Sequence, residues 1–113
     1  MADVPKLVDT VLSSIQKDEL ILQPLFMCVM MCKSLDMLEK YEKIYNISCP
    51  DKYPTTRFMQ LFMGVTEKTA INMIKFGIDR GYVVQIDSTL DQRSKYIKST
   101  EKLDKIFDKL QQL

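Results

Sequence analysis

Apolar residues recur at helical spacing from the start of the chain. Val4, Leu7, Val8, Val11, Leu12 and Ile15 line one face of a first helix, which Asp3 can cap and whose opening turn tolerates Pro5. Asp18 and Glu19 open the next segment. Pro24 falls at the first turn of a second helix, where its missing N–H costs nothing. That helix, PLFMCVMMCK, is apolar nearly all round, which predicts the central and most buried element. The following SLDMLEKYEKIYN is helical too, with Leu35, Leu38, Tyr41 or Glu42, and Tyr45 as its stripe. The pattern leaves open whether it prolongs the second helix or breaks from it at Ser34. Residues 46–54 hold two prolines and an Asn–Ser cluster, which predicts a loop.

Residues 55–100 carry the densest pattern. Thr55 or Thr56 caps a short helix ending near Met63, and Gly64 supplies the backbone freedom of a tight turn. Val65 plugs the angle between this helix and the next, which Thr66 caps. There Ala70, Met73, Ile74 and Gly77 fall at i, i+3, i+4 and i+7, a buried face on which small Ala70 and Gly77 allow close helix approach. Lys68, Asn72, Lys75 and Asp79 occupy the opposite face, with Thr69 at its edge. Arg80 and Gly81 stop the helix, Gly81 as a left-handed cap. Residues 82–87, β-branched and aromatic, suit a strand; residues 94–98 are its partner, and STLDQR between them is a wing tip. Thr100 then caps a last helix with Leu103, Ile106, Phe107, Leu110 and Leu113 as its stripe.

Helix, tight turn, helix and hairpin, in that order, predict a mainly α fold with one small β-hairpin, a winged helix-turn-helix. The usual task of that module is to place one helix in a DNA major groove. The 113 residues make one domain, long enough to bury a core without disulfides or structural metal. Residues 20–32 are too short to span a bilayer and include Gln23 and Pro24, so no membrane partner is expected. The N-terminus MADVPKLVDT has no leading basic, apolar stretch, and three cysteines cannot all pair internally. A reducing cytoplasm is the expected compartment.

Net charge is only +1, but it is unevenly spread. Residues 1–51 hold five Lys against eight acids, residues 52–99 eight Lys and Arg against four, and residues 100–113 three of each. The positive charge therefore concentrates in the helix-turn-helix and wing, and binding should be salt-sensitive through a few phosphate contacts.

Three features of this stretch resemble the multiple-antibiotic-resistance regulator (MarR) family of winged-helix transcription factors. GVTEKTAINMIKFGIDRGYV is similar to that family's recognition helix and its Arg-Gly-apolar exit. Asp91-Gln92-Arg93 resembles its D-x-R wing motif, and Ser99-Thr100-Glu101-Lys102 the threonine-capped start of the helix after the wing. The likeness covers roughly residues 55–105, less than half the chain. It implies a homodimer whose N- and C-terminal helices interlock, here residues 1–18 and 100–113, flanking a helix-turn-helix and wing at 55–99. It also implies recognition helices in successive major grooves of a pseudo-palindrome, with the wings over flanking minor grooves. Thr66, Lys68, Thr69 and Asn72 match the groove-facing positions, Arg93 the wing arginine, and Asp91 the acid that orients the wing. The chain departs from the family in its abbreviated ends, in a longer stretch over residues 33–54, and in Leu103 where the family has glycine after T-E-K. The small-molecule effector pocket of many relatives is therefore an open expectation.

Residue chemistry supports parts of that picture independently. A guanidinium such as that of Arg93 suits a narrow minor groove, where negative potential concentrates, and Lys95 adds charge to the wing. Asn72 can read adenine bidentately and Lys68 can donate to guanine. Lys75, further along the helix, and Arg57, at the preceding helix start, suit phosphates. Asp91 would fix the Arg93 side chain, or else simply form a turn. Glu67 at the recognition-helix start compensates the helix dipole. Cys28 and Cys32, i and i+4 on one helix, read as small buried hydrophobes, with a redox switch that also involves loop residue Cys49 as the alternative. With no His, no glycine-rich phosphate loop and no activated nucleophile, neither catalysis nor a cofactor is expected. The competing function is a winged-helix protein-interaction module, for which Phe58, Phe62, Ile71 and Phe76 would be the exposed apolar residues. Amphipathic helices at both ends would leave surplus apolar surface, which favours a homodimer.

Overall fold

The structure, a computed structural model, describes residues 17–91 and 93–111. The expected first helix over residues 3–15 lies outside the described residues, as do Gln92, Leu113 and the Leu110 side chain. A 3₁₀ segment, Lys17–Leu22, leads into α1 (Gln23–Met31), whose first turn contains Pro24. The chain then breaks: Ser34, extended at φ −83° and ψ 114°, caps α2 (Leu35–Tyr45) by accepting from the Met37 N–H at 3.4 Å. The helices on either side of the break meet at 110°.

That bend settles which α2 residues are inside. Leu38 is fully buried and Tyr41 and Tyr45 are half-buried against the core, whereas Leu35 is 51% exposed. Leu35 therefore leaves the expected stripe, because it sits at the edge of the arc that contains Leu38, Tyr41 and Tyr45. α1 is likewise not buried all round: Leu25, Phe26, Cys28 and Val29 face the core while Met27 is exposed.

α2 ends at Asn46 in the left-handed region, and an irregular stretch follows to Pro54. Thr55 rather than Thr56 caps α3 (Thr56–Met63), its hydroxyl accepting from the Phe58 N–H at 3.2 Å. Thr55 also bridges to Tyr96, and the Ile97 N–H donates to the Pro54 carbonyl, so the loop exit is pinned to the wing. Gly64 takes φ +66°, and Thr66 caps α4 (Glu67–Asp79). All four residues expected on its inner face, Ala70, Met73, Ile74 and Gly77, are buried. A Cβ on Gly77 would lie 3.1 Å from Val83 Cγ2 and 3.4 Å from Leu25 Cδ2, so the close approach it permits is to strand and helix alike.

Strands β1 (Val83–Asp87) and β2 (Lys95–Ser99) pair antiparallel, Val83 opposite Ser99 and Asp87 opposite Lys95. Both begin one residue later than the apolar runs suggest. Tyr82 belongs to the helix exit, its N–H donating to the Gly77 carbonyl at 2.9 Å. Helix α5 (Glu101–Gln111) closes the described chain. Thr100 precedes it, and its hydroxyl donates to the Gly81 and Tyr82 carbonyls, tying the last helix to the exit of α4.

Two expectations about apolar surface change. Leu103 and Ile106 of α5 are 0% and 6% exposed within the same chain, with Phe107 packed on that core. The described part of α5 therefore supplies no surplus apolar face, because the antiparallel wing returns the chain onto its own core. The α5 start is further fastened by Asp104, which accepts from the Ser99 hydroxyl at 2.6 Å and pairs with Lys33 at 2.7 Å. Phe58, an expected exposed residue, is fully buried, and Phe62 and Phe76 pack partly against the core.

Candidate nucleic-acid interface

The outer face of α4 is built by one hydroxyl. Thr66 Oγ1 accepts from the Thr69 N–H at 3.2 Å and lies 3.0 Å from Thr69 Oγ1. This satisfies an otherwise orphaned amide and holds both threonines at the tip of the helix. Lys68, Thr69, Asn72 and Lys75 are all exposed along that face. Glu67 is exposed in the first turn, where a negative charge complements the helix dipole. Replacing Thr66 with alanine should lower stability by about 1 kcal/mol through loss of the cap. Chemical denaturation measures it, and a change under ~0.3 kcal/mol would show that Thr69 holds the turn without Thr66.

The wing is organised by its own short polar residues. Ser88, only 6% exposed, accepts from the Leu90 and Asp91 N–H groups at 3.1 and 2.9 Å. Asp91 Oδ1 accepts from the Arg93 N–H at 3.0 Å, and the Asp91 carbonyl accepts from the Ser94 N–H at 2.9 Å. Asp91 thus holds the Arg93 backbone and not its side chain, which is exposed. Carboxylate-to-backbone bonding two residues on is the usual habit of aspartate in turns. Lys95 stands 3.9 Å from Asp87, but both are well exposed and the pair has little energetic weight.

Helix and wing meet over a shallow groove of about 540 Å3. Arg57 lines it from the start of α3, Glu67 and Ile71 from α4, and Gln85, Arg93 and Lys95 from the wing. Arg57 is braced there, donating to Gln60 Oε1 at 3.2 Å. Three of the expected contact residues are brought to one groove, while Lys68, Asn72 and Lys75 run along α4. Gln85 and Ser88 were missed by sequence reasoning. Strand alternation carried a signal for Gln85, since it lies on the same side as buried Val83 and Ile97. Ser88 gave none beyond its place in a turn.

The three cysteines belong to the core. Cys28, Cys32 and Cys49 are free and buried. A hydrogen bond with Cys32, together with burial, pushes the Cys28 thiol far up, and burial raises Cys49. Thiols held in the protonated form are poor nucleophiles. Among the described residues no group of three or more His, Cys, Asp or Glu could hold a metal ion. No single helix among them is long and apolar enough to cross a membrane.

No protein-family model and no curated protein matches the sequence. Solved structures do match the fold. The transcriptional regulator Tm0710 from Thermotoga maritima superposes with a TM-score of 0.50 at 16% identity, covering 84% of this chain and 70% of its own. The MepR–DNA complex of S. aureus superposes with a TM-score of 0.50 at 18% identity, covering 98% of this chain and 81% of its own. The first is described as a transcriptional regulator, and the second was solved bound to DNA. At such identities the likeness defines architecture alone: the chain has a winged helix-turn-helix fold, shared with these two proteins.

Proposed function

We propose that the chain is a transcriptional regulator that binds a pseudo-palindromic double-stranded DNA site as a homodimer, without catalytic activity. The observation that carries this is the shared face of α4 and the wing. Arg57, Arg93 and Lys95 border one groove, and Lys68, Asn72 and Lys75 project from the helix beside it. In this reading Thr66, Lys68, Thr69 and Asn72 meet base edges or nearby phosphates in the major groove. Arg57 and Lys75 take phosphates, and Arg93 enters the minor groove with Lys95 beside it. Asp91 and Ser88 hold the wing backbone that presents Arg93. MepR, which shares the fold, was solved in complex with DNA.

The whole chain acts as one domain, in a reducing cytoplasm. Self-association falls to residues 1–18, whose apolar stripe runs from Val4 to Ile15, because the described apolar residues of α5 are spent within the protomer. The protein-interaction alternative loses part of its support, since Phe58 is buried and Phe62, Ile71 and Phe76 are partly so.

Selection of bound duplexes from a random pool, at near-physiological salt, tests the reading. An inverted repeat with half-sites about 10 base pairs apart is expected. A pool that enriches nothing overturns sequence-specific binding.

A further inference from the structure

Glu19 is a carboxylate only 1% exposed. A buried charge is costly unless paired and hydrogen-bonded, and a buried ion pair is often no more stabilising than an apolar substitute. Its presence therefore calls for a geometric reason. Glu19 Oε1 accepts from the Tyr82 hydroxyl at 2.7 Å, and Oε2 lies 3.5 Å from Arg80 Nη1. Neighbouring Asp18 takes Arg80 Nη2 at 2.8 Å. Arg80 is the C-terminal cap of α4, its guanidinium 5.0 Å from the Phe76 ring centroid, and its carbonyl accepts from Lys102 Nζ at 2.7 Å. The exit of the recognition helix is thus gripped from the N-terminal segment by two carboxylates and braced from α5 by a lysine.

Beside this clamp, segment and helix border a groove of about 390 Å3, into which Asp18 of the clamp also faces. Ile21 lines one side, and Thr69, Asn72 and Phe76 the other. The segment that grips the exit of α4 thus also runs beside Thr69 and Asn72, positions assigned to base contact. Directional charge-assisted bonds fix an angle in a way that apolar contact does not.

We propose that Glu19 is a positioning residue: through Arg80 and Tyr82 it fixes the angle between the N-terminal segment and α4, and with it the spacing of the two recognition helices on DNA. This rests on the reading of the chain as a DNA-binding homodimer joined through residues 1–18. A joint of this kind acts on the separation of half-sites and leaves the chemistry of each half-site alone.

Two variants test it. Glu19→Gln keeps an acceptor for Tyr82 and removes the charge facing Arg80. Arg80→Met keeps the stem against Phe76 and removes both ion pairs; its side chain is 40% exposed, so it decides the matter if Glu19→Gln does not fold. Each is compared with the unaltered protein by random-pool selection, and by titration of the selected two-half-site duplex and of a duplex with one half-site. The expected result is a pool of several spacings where the unaltered protein enriches one. Affinity for the two-half-site duplex should fall about tenfold, with affinity for the single half-site within about twofold. Equal losses on both duplexes, or an unchanged single spacing, would overturn the proposal. If the unaltered protein itself enriches no repeat, the DNA reading fails, and that failure is visible before either variant is made.

Discussion

Alanine at both Asn72 and Arg93 should lower affinity for the selected duplex by about 100- to 1,000-fold. The two residues serve different purposes. Asn72 is exposed on the outer face of α4, and an asparagine amide there can donate to and accept from one adenine edge, so its loss relaxes sequence preference at one position. Arg93 is exposed at the wing, on backbone held by Asp91 and Ser88, and its loss removes a positive charge from the minor groove. Titrations across a range of salt separate them. The Arg93→Ala variant should reduce the salt slope by about 1, and Asn72→Ala should leave it unchanged. Neither side chain is part of the core, so thermal stability should stay within about 0.5 kcal/mol of the unaltered protein. A double variant that binds as tightly as the original would remove both residues from the interface and redirect attention to Arg57 and Lys95.

The largest loss of stability is expected from Phe58→Ala, at about 3–5 kcal/mol. Phe58 lies in the first turn of α3, is fully buried, and meets the Tyr45 ring edge-on at 5.5 Å between centroids. It thereby joins the helix-turn-helix to α2 across the irregular stretch that separates them in sequence. Truncation forfeits the transfer free energy of the ring and leaves a cavity that rigid neighbours fill only in part. Since a domain of this size has a total stability of about 5–15 kcal/mol, the variant should be substantially unfolded near body temperature. A urea midpoint shifted downward with an unchanged slope would establish the effect. A loss of under ~1 kcal/mol would mean that Tyr45 and Phe62 close over the vacated space. The same residue also bears on function, because a buried Phe58 is not available to a protein partner.

Much of the helix-turn-helix could be read from the chain because its determinants are local. A threonine before a helix, a glycine at a left-handed turn and an apolar residue every third or fourth position act within a few residues of themselves. Thr66, Gly64, Gly81 and the inner face of α4 accordingly fell where the pattern placed them. The candidate interface was legible to the extent that it is the complement of that inner face: once Ala70, Met73, Ile74 and Gly77 turn inward, Lys68, Asn72 and Lys75 must turn out. Asp91 shows the limit. Its place in a turn was evident, but whether it bonded the side chain or the backbone of Arg93 depended on the fold of the wing tip.

By itself the sequence determined the order of elements from α3 to α5, the caps at Thr66 and Gly81 and the two faces of α4, because each depends on backbone preferences and periodicity over short distances. Only the tertiary structure decided the 110° bend at Ser34, the burial of Phe58, the use of Leu103 and Ile106 within the protomer, and the grip of Asp18 and Glu19 on Arg80. The Glu19 contacts join residues more than sixty positions apart. Periodicity carries no information about which distant surface an amphipathic face will meet, and a charged residue reads as solvent-facing until a partner across the fold takes it out of water.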